Sequence, residues 1–201
     1  MSLYYLYKYA FNYPFHTPDG KSALMFTIPM PEQIKMYQSR IGQMPRSYFD
    51  CGAAIGFMVA WGHRMGLDAR GIDIKRYPNT HPFAATTDPL FADGHIQIKS
   101  ILDIDSVTAD LAYCNGTLTY MNEMTLPLAL ARMQNVRMLI AIHNTTEDIA
   151  LAATMGYPIV YDEPRLVRSN QWWMDMFQQN GFDVDFDMKN GCFCARPQHI
   201  R

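Results

Sequence analysis

The sequence has few charged residues, little net charge and no apolar run long enough to cross a bilayer. Charged residues make up 18% of the 201 positions and the formal net charge is −2, which argues against a broad nucleic-acid surface. The aromatic N-terminus MSLYYLYKYAFNYPF lacks the basic and then aliphatic pattern of a secretion signal. We therefore expect a cytoplasmic protein with no membrane partner.

Cysteine is also scarce and is not arranged for metal binding. Cys51, Cys114, Cys192 and Cys194 form no C-x-x-C pair and show no zinc-ligand spacing, so no metal site is predicted. Cys192 and Cys194 alternate like one face of a strand, which is typical of small core residues. We expect the four thiols to be reduced.

The chain has enough apolar residues for one sizeable core. Hydrophobic residues account for 49% of the sequence, and a length of 201 residues requires no second domain. We predict a single domain over residues 1–201, with its core in residues 46–201. Residues 1–45 would form an aromatic N-terminal cap segment and a helix.

From residue 47 the sequence alternates between strand-like and helix-like patterns. The strand-like runs are YFDCG, ARGIDI, HIQIKSI, ADLAYCN, VRMLIAIHN, FDVDFDM and CFCARP. The last two flank the turn KNG, which predicts a hairpin. This order predicts an α/β fold with a doubly wound, mostly parallel seven-stranded sheet, helices on both faces and a C-terminal antiparallel hairpin.

A turn of small residues follows the first of these strands. It reads DCGAAIG over residues 50–56, and the helix after it is predicted from the spacing of Ile55, Met58, Val59 and Gly62. Small side chains allow a ligand to approach the backbone, and the helix N-terminus offers N–H groups to an anion. Asp73 ends the next strand, where a carboxylate can accept hydrogen bonds from ribose hydroxyls. Together these features indicate a nucleoside site.

Two common nucleotide motifs do not fit. A dinucleotide fingerprint starting at Gly52 needs glycine at positions 54 and 57, which are Ala54 and Phe57. A P-loop ending in the GKS of residues 20–22 needs glycine at position 15, which is Phe15. A short-chain dehydrogenase is a further hypothesis for a nucleotide-binding α/β protein. Its Tyr-x-x-x-Lys pair occurs in this chain only near the N-terminus, which disfavours this hypothesis.

The chain resembles class I S-adenosylmethionine-dependent methyltransferases. FDCGAAIGF followed by ARGIDI is similar to the cofactor-binding half of that family, whose first turn has an acidic-x-Gly-x-Gly-x-Gly pattern. ADLAYCNGTLTYM and VRMLIAIHN resemble the fourth and fifth strands of the family. WWMDMFQQNGFDVDFDMKNGCFCARP is similar to its last helix and terminal strand pair. The resemblance covers about residues 46–198 and implies S-adenosyl-L-methionine as the cofactor.

The resemblance implies a role for individual residues. The turn would face the methionyl part of the cofactor, Asp73 would hold the ribose and the segment after the third strand would lie beside the adenine. Cofactor and acceptor would meet at the end of the fourth strand, and Arg40 is a further candidate for the methionyl carboxylate. The implied cofactor residues are Asp50, Cys51, Gly52, Ala53, Gly56, Asp73, Ser100, Ile101, Cys114 and Asn115.

The class of methyl acceptor can be inferred only by excluding the classes whose motifs are missing. After the fourth strand the chain reads NGTLTY, which is neither the Asp/Asn-Pro-Pro-aromatic pattern nor the Pro-Cys pair of base methyltransferases. A small-molecule or protein acceptor is left, and Asn115 and His143 are the candidate catalytic residues. The alternative is a non-catalytic protein, a sensor or subunit, that binds S-adenosylmethionine on the same fold.

Overall fold

A computed structural model describes residues 28–76, 84–154, 164–188 and 191–200. The strands are β1 Ser47–Cys51, β2 Asp68–Asp73, β3 Ile96–Ile98, β4 Thr108–Asn115, β5 Asn135–Ile142, β6 Phe182–Asp187 and β7 Cys192–Pro197. The helices are α1 Met30–Ile41, α2 Phe57–Arg64, α3 Ala84–Ala92, α4 Leu126–Arg132, α5 Thr146–Thr154 and α6 Asn170–Gln179. Short 3-10 turns span Ile101–Asp103 and Thr117–Tyr120.

All seven strands form one sheet in the order β3-β2-β1-β4-β5-β7-β6. Strands β1 to β5 pair in parallel, whereas β7 pairs antiparallel with both β5 and β6. The strand order reverses between β1 and β4, so their C-terminal ends open a crevice there. The predicted fold class is confirmed, including the C-terminal antiparallel pair.

Apolar side chains cover both faces of the sheet. On β5, Met138 and Ile140 belong to the core on the α1 and α2 side, while Leu139 and Ala141 belong to the core on the α4 and α6 side. This alternation is the period of two expected for a strand. A strand with both faces buried reads as a continuous apolar run, which explains the strong pattern of VRMLIAI.

The helix ends follow local rules. Helix α1 has proline in its first turn and ends where Gly42 adopts a φ of +81°. Helix α6 begins at Asn170, and its N-cap is Ser169, whose hydroxyl accepts a hydrogen bond from Trp172 N. The side chain of Trp173 on this helix is fully buried in the core.

Two elements are shorter than the sequence predicts. Helix α2 begins at Phe57 because Gly56 has a φ of +83°, so Ile55 lies in the preceding turn and not on the helix. Strand β3 has three residues because Ser100 and Asp103 form a capping box that starts a 3-10 turn. The predicted N-terminal segment up to residue 27 and hairpin turn residues 189–190 lie outside the described residues.

Candidate functional site

The turn after β1 is held against the end of β2 by backbone hydrogen bonds. Gly52 N and Ala53 N both donate to the carbonyl of Ile72, each at 2.9 Å. Ala54 N donates to Asp73 Oδ2 at 2.8 Å, and Gly56 N closes the turn by donating to Ala53 O at 2.7 Å. The turn and Asp73 therefore form one hydrogen-bonded unit.

The backbone of this turn adopts the left-handed conformation at every second residue. Gly52 and Gly56 have φ values of +90° and +83°, and Ala54 has a φ of +49°. Within the described part of the chain, Ala54 is the one non-glycine residue with a positive φ. This conformation costs an L-residue about 1–2 kcal/mol, so Ala54 occupies a position that favours glycine.

The turn also contacts the loop after β4. Thr117 Oγ1 donates a hydrogen bond of 2.7 Å to the carbonyl of Cys51. A Cβ atom on Gly52 would overlap this hydroxyl, so the position has no room for a side chain. The β1 and β4 ends are thereby joined at the point where the strand order reverses.

Helix α2 starts from this turn without a side-chain cap. No acidic residue lies in its first turn, so the N–H groups there are not neutralised by a carboxylate of the helix. Such a terminus carries a partial positive charge and suits an anionic group such as a carboxylate.

Two buried carboxyl groups lie beside the turn. Asp50 is 4% exposed. Its pKa is raised to about 8, mainly by burial and to a smaller extent by the negative charge of the neighbouring Asp73. Burial also raises the pKa of Asp73, although backbone N–H groups, including those of Ala54 and Lys75, oppose this shift. Lys75 N donates to Asp73 Oδ1 at 3.2 Å, so both carboxyl oxygens of Asp73 accept a hydrogen bond. A cationic ligand would relieve the repulsion between the two acids.

Ser100 and Ile101 lie after β3, next to the Asp73 end of β2. Lys99 N donates to the carbonyl of Asp73 at 2.8 Å, which fixes this segment at the same edge. The Ser100 hydroxyl accepts from Leu102 N at 3.2 Å, and the Ile101 side chain is buried. Ile74 is 69% exposed and adds an apolar surface beside the Asp73 carboxylate.

Cys51 and Cys114 are register partners on β1 and β4, and both side chains are buried on the α4 and α6 side. The adjacent Cys114 thiol and burial raise the pKa of Cys51, so that thiol stays uncharged. Since both side chains pack in the core, contact with a ligand at this edge would come from their backbone atoms.

His143 immediately follows β5. Its ring lies 4.0 Å from the Trp173 ring and 5.2 Å from the Phe193 ring, measured between centroids. Burial lowers its pKa to about 3, against a smaller opposing effect of the Ile142 carbonyl. The imidazole is therefore neutral at physiological pH. Ile142 is the register partner of Asn115, so the two predicted catalytic residues lie at the ends of neighbouring strands.

The fold thus brings the C-terminal ends of β1 to β5 together, and every predicted site residue except Arg40 lies at or next to these strand ends. The Arg40 guanidinium instead contacts Asp185 at 2.7 Å and Asp187 at 3.4 Å on β6. The suggestion that Arg40 binds the methionyl carboxylate is wrong because these two aspartates already bind it.

One group of residues near these strand ends was not predicted from the sequence. The Arg165 guanidinium lies 3.8 Å from the Tyr120 ring centroid and also donates to the Tyr120 hydroxyl and, at 3.4 Å, to Thr119 Oγ1. Leu166 N donates to Thr119 O at 2.7 Å, which binds residues 164–169 to the loop after β4. Thr119 and Tyr120 lie in a short 3-10 turn and residues 164–169 in irregular structure, so no periodic signal in the sequence could identify them.

Two features are absent from the described residues, a membrane-spanning helix and a group of metal ligands. No helix within residues 28–76, 84–154, 164–188 and 191–200 combines the length and apolar character needed to span a membrane. The same ranges contain no group of three or more histidine, cysteine, aspartate or glutamate residues that could hold a metal ion.

The chain was compared with known proteins by sequence and by structure. No protein-family model matches it, and no curated protein sequence matches it. Solved structures match over most of its length. The sugar N-methyltransferase KedS8 from Streptoalloteichus sp. ATCC 53650 matches with a TM-score of 0.64 at 11% identity, covering 98% of this chain and 93% of that one.

Two further structures give similar results. DesVI from Streptomyces venezuelae matches with a TM-score of 0.61 at 9% identity, covering 83% of this chain and 89% of that one. The Burkholderia thailandensis 1,6-didemethyltoxoflavin-N1-methyltransferase, crystallised with its acceptor and S-adenosylhomocysteine, matches at 0.55 with 16% identity, covering 84% and 77%. The chain therefore has the fold of class I S-adenosylmethionine-dependent methyltransferases.

Proposed function

We propose that this protein binds S-adenosylmethionine at the C-terminal ends of β1 to β4 and transfers its methyl group to a small-molecule or protein acceptor. The observation that carries the proposal is the turn of residues 52–56, bound to Asp73 through Ala54 N at 2.8 Å. It combines close backbone access, an uncapped helix N-terminus and a buried carboxylate at the reversal point of this sheet.

The residues present fit each part of this cofactor. The α2 N-terminus suits the methionyl carboxylate. A positively charged ligand beside Asp50 and Asp73 would favour their ionised forms and so lower the raised pKa of Asp50. Asp73 would accept the ribose hydroxyls, and Ile74 and Ile98, which are 69% and 47% exposed, would cover the adenine. The cofactor supplies a methyl group on a sulfonium; transfer breaks the carbon–sulfur bond and leaves S-adenosylhomocysteine.

The acceptor would lie over the loop after β4. Asn115 would position it through its amide, and the acceptor proton would pass to a base or to water. His143 remains a predicted catalytic residue. Because its imidazole is neutral, one ring nitrogen can donate a hydrogen bond and the other can accept one. Small-molecule methyltransferases are among the structures that share this fold, which supports a small-molecule acceptor. The cap predicted for residues 1–45 stays a prediction, since residues 1–27 lie outside the described residues.

The proposal is tested by thermal unfolding with S-adenosylmethionine, S-adenosylhomocysteine and, as a control, NADH. A ligand at 100 times its Kd stabilises a protein by about 2.7 kcal/mol, so the midpoint rises with both sulfur nucleosides and stays constant with NADH. In Asp73→Ala we expect at least about tenfold weaker binding, about 1.4 kcal/mol, through loss of charge-assisted hydrogen bonds. No shift at millimolar ligand would refute the proposed function, and a shift with NADH would favour a dehydrogenase.

A non-catalytic binding protein is the alternative function. It predicts the same thermal shift but no product. Release of S-adenosylhomocysteine from S-adenosylmethionine in the presence of cell extract separates the two, because only an enzyme with its acceptor present generates it.

A further inference from the structure

The turn after β1 is attached differently on its two sides. On the β2 side, the N–H groups of residues 52–54 donate hydrogen bonds of 2.8–2.9 Å to the Ile72 carbonyl and the Asp73 carboxylate. On the β4 side, the Thr117 hydroxyl donates a hydrogen bond of 2.7 Å to the Cys51 carbonyl. The backbone therefore fixes the turn to β2, whereas a side chain joins it to the loop after β4.

The position of Thr117 follows from the way in which β1 and β4 separate. The register between these strands ends at Cys51 and Cys114, and a carbonyl at the end of the ladder needs a donor from elsewhere. Gly116 then adopts a φ of +71°, which turns the chain into the 3-10 turn that begins at Thr117. Gly52 leaves room for the Thr117 side chain, because a Cβ atom on Gly52 would overlap it. The hydrogen bond thus lies where the strand order reverses.

The same 3-10 turn, Thr117–Tyr120, is attached on its other side to residues 164–169. Leu166 N donates a hydrogen bond of 2.7 Å to the Thr119 carbonyl. A 3-10 turn rises about 2.0 Å per residue, so its first and last residues are about 6 Å apart. A short, anchored segment therefore lies between the proposed cofactor turn and residues 164–169, and it begins two residues after Asn115.

The Thr117 hydrogen bond links the local stability of the two turns. Opening of the loop away from β1 breaks this bond, and the bond is strongest when the Cys51 carbonyl is held in place. A ligand bound on the β1 turn restrains that carbonyl and so favours the closed loop. The coupling is reciprocal, so an acceptor that orders the loop strengthens cofactor binding by the same factor. Methyl transfer requires this order, because donor and acceptor must be aligned.

We propose that Thr117 is a positioning residue that couples cofactor binding at the β1 turn to the order of the loop after β4, residues 115–120. Its hydroxyl acts through the Cys51 carbonyl and needs no contact with cofactor or acceptor. The inference rests on the proposed function for the identity of the ligand. It adds that cofactor and acceptor bind with positive cooperativity, because the loop beside the acceptor is best ordered when the methyl donor is bound.

The test measures amide hydrogen exchange of wild type, Thr117→Val and Thr117→Ser, with and without saturating S-adenosylhomocysteine. Valine keeps the shape of threonine without the hydroxyl, whereas serine keeps the hydroxyl. In wild type we expect the ligand to slow exchange at least about fivefold in residues 117–120 and about threefold at Leu166. In Thr117→Val the slowing at both places falls below about 1.5-fold, although the Kd of the ligand, measured by calorimetry, rises less than about fivefold. Thr117→Ser restores the slowing.

Thr108→Val is the matched control, because it makes the same substitution at the exposed N-terminal end of β4. It leaves the ligand-induced slowing unchanged. Should Thr117→Val fail to fold, Thr117→Ala is compared with Thr117→Ser, since these two variants differ in the hydroxyl alone. The slowing in residues 117–120 is then expected to be at least about threefold larger in Thr117→Ser.

Three results overturn the role of Thr117. They are slowing in residues 117–120 that is absent from wild type or persists in Thr117→Val, slowing that Thr117→Ser fails to restore, and a Kd that rises more than about fivefold in Thr117→Val. Each of them leaves the proposed function intact, because wild type still binds S-adenosylhomocysteine.

Absence of binding to wild type rejects the proposed function instead, and the ligand-free exchange rates then decide the role of Thr117. Thr117→Val is expected to speed exchange in residues 52–56 at least about threefold, whereas Thr117→Ser leaves it unchanged. Equal rates in the two variants overturn the coupling between the turns.

Discussion

At the scale of single residues, the turn after β1 depends on conformation as much as on chemistry. Ala54 holds a φ of +49° because its N–H is bound to Asp73 Oδ2, and the flanking glycines accept similar φ values at little cost. The strain at Ala54 thus accompanies the geometry that a ligand would meet. Strained backbone of this kind is concentrated at functional sites in proteins.

Ala54→Gly is expected to stabilise the protein. Glycine removes the cost of the left-handed conformation, which is about 1–2 kcal/mol for alanine. It also destabilises the folded state by about 0.5–1 kcal/mol, because the unfolded chain gains conformational entropy, so we expect a net stabilisation of about 0.5 kcal/mol. The measurement is urea unfolding of both proteins. Ala53→Gly is the control, because Ala53 is buried without a positive φ, and this change should destabilise. A loss of stability in Ala54→Gly would contradict the assignment of strain.

Asp50 makes stability depend on pH. Its folded pKa of about 8 exceeds its ordinary value, so between about pH 4 and pH 8 the folded state binds more protons than the unfolded state. The contribution of Asp50 to stability is therefore fully present at low pH and is lost as pH rises through about 8.

Asp50→Asn should remove this dependence. The amide resembles the protonated acid, so we expect the variant to match wild type within about 1 kcal/mol at pH 5 and to exceed it by about 1 kcal/mol or more at pH 8. Urea unfolding of both proteins at pH 5, 6, 7 and 8 measures the difference in their unfolding free energies. The lowered pKa of His143 has the opposite effect on stability, but it is common to both proteins and cancels in this difference. A difference independent of pH would show that Asp50 is ionised in the folded state.

At the scale of elements, the site is built from two turns that depend on each other. The turn after β1 and the 3-10 turn after β4 meet at Gly52 and Thr117, where the threonine hydroxyl bonds the Cys51 carbonyl at 2.7 Å. Loops placed at the ends of a rigid parallel sheet commonly carry function in this way. The contact couples the proposed cofactor turn to the loop that carries Asn115.

A double-mutant cycle tests this coupling. Gly52→Ala should cost about 2 kcal/mol of unfolding free energy, since it combines left-handed strain with overlap against Thr117 Oγ1. In a Thr117→Ala background the overlap is absent, and the cost of Gly52→Ala should be at least about 1 kcal/mol smaller. Urea unfolding of the four proteins gives the coupling energy. Additive costs would mean that the two turns do not communicate.

At the scale of the whole molecule, the sheet separates the proposed site from the antiparallel pair. The C-terminal ends of β1 to β4 lie together where the strand order reverses. Strands β7 and β6 lie at one side of the sheet, and an ion pair between Arg40 and Asp185 connects β6 to α1. The two apolar cores lie on opposite faces of the sheet. We therefore expect ligand binding to protect the strand ends of the proposed site and to leave β6 and β7 unchanged.

Amide hydrogen exchange tests this division. Saturating S-adenosylhomocysteine should slow exchange at least about fivefold in residues 52–56, 73–76, 99–103 and 115–120. Exchange in β6 and β7 should stay within twofold of the ligand-free rate. Equal protection in β6 and β7 would instead indicate global stabilisation by a ligand bound elsewhere.

Much of the fold could be predicted because the signals are local. Strand β5 is an uninterrupted apolar run, Ser169 is a helix cap, and the glycines of residues 50–56 mark a turn; each depends only on neighbours in the chain. Two errors have local physical causes as well. The capping box at Ser100 shortened β3, and the conformation of Gly56 moved the start of α2 beyond Ile55.

The sequence by itself determined the order of elements, the small-residue turn and the position of Asp73 at the end of β2, since patterning and turn chemistry act between residues close in the chain. Only the tertiary structure decided which side chains meet. Arg40 forms an ion pair with Asp185 on β6, Thr117 packs against Gly52, and the His143 ring contacts the Trp173 ring, thirty residues later in the chain. Such contacts follow from the packing of distant segments, which leaves no periodic trace in a single sequence.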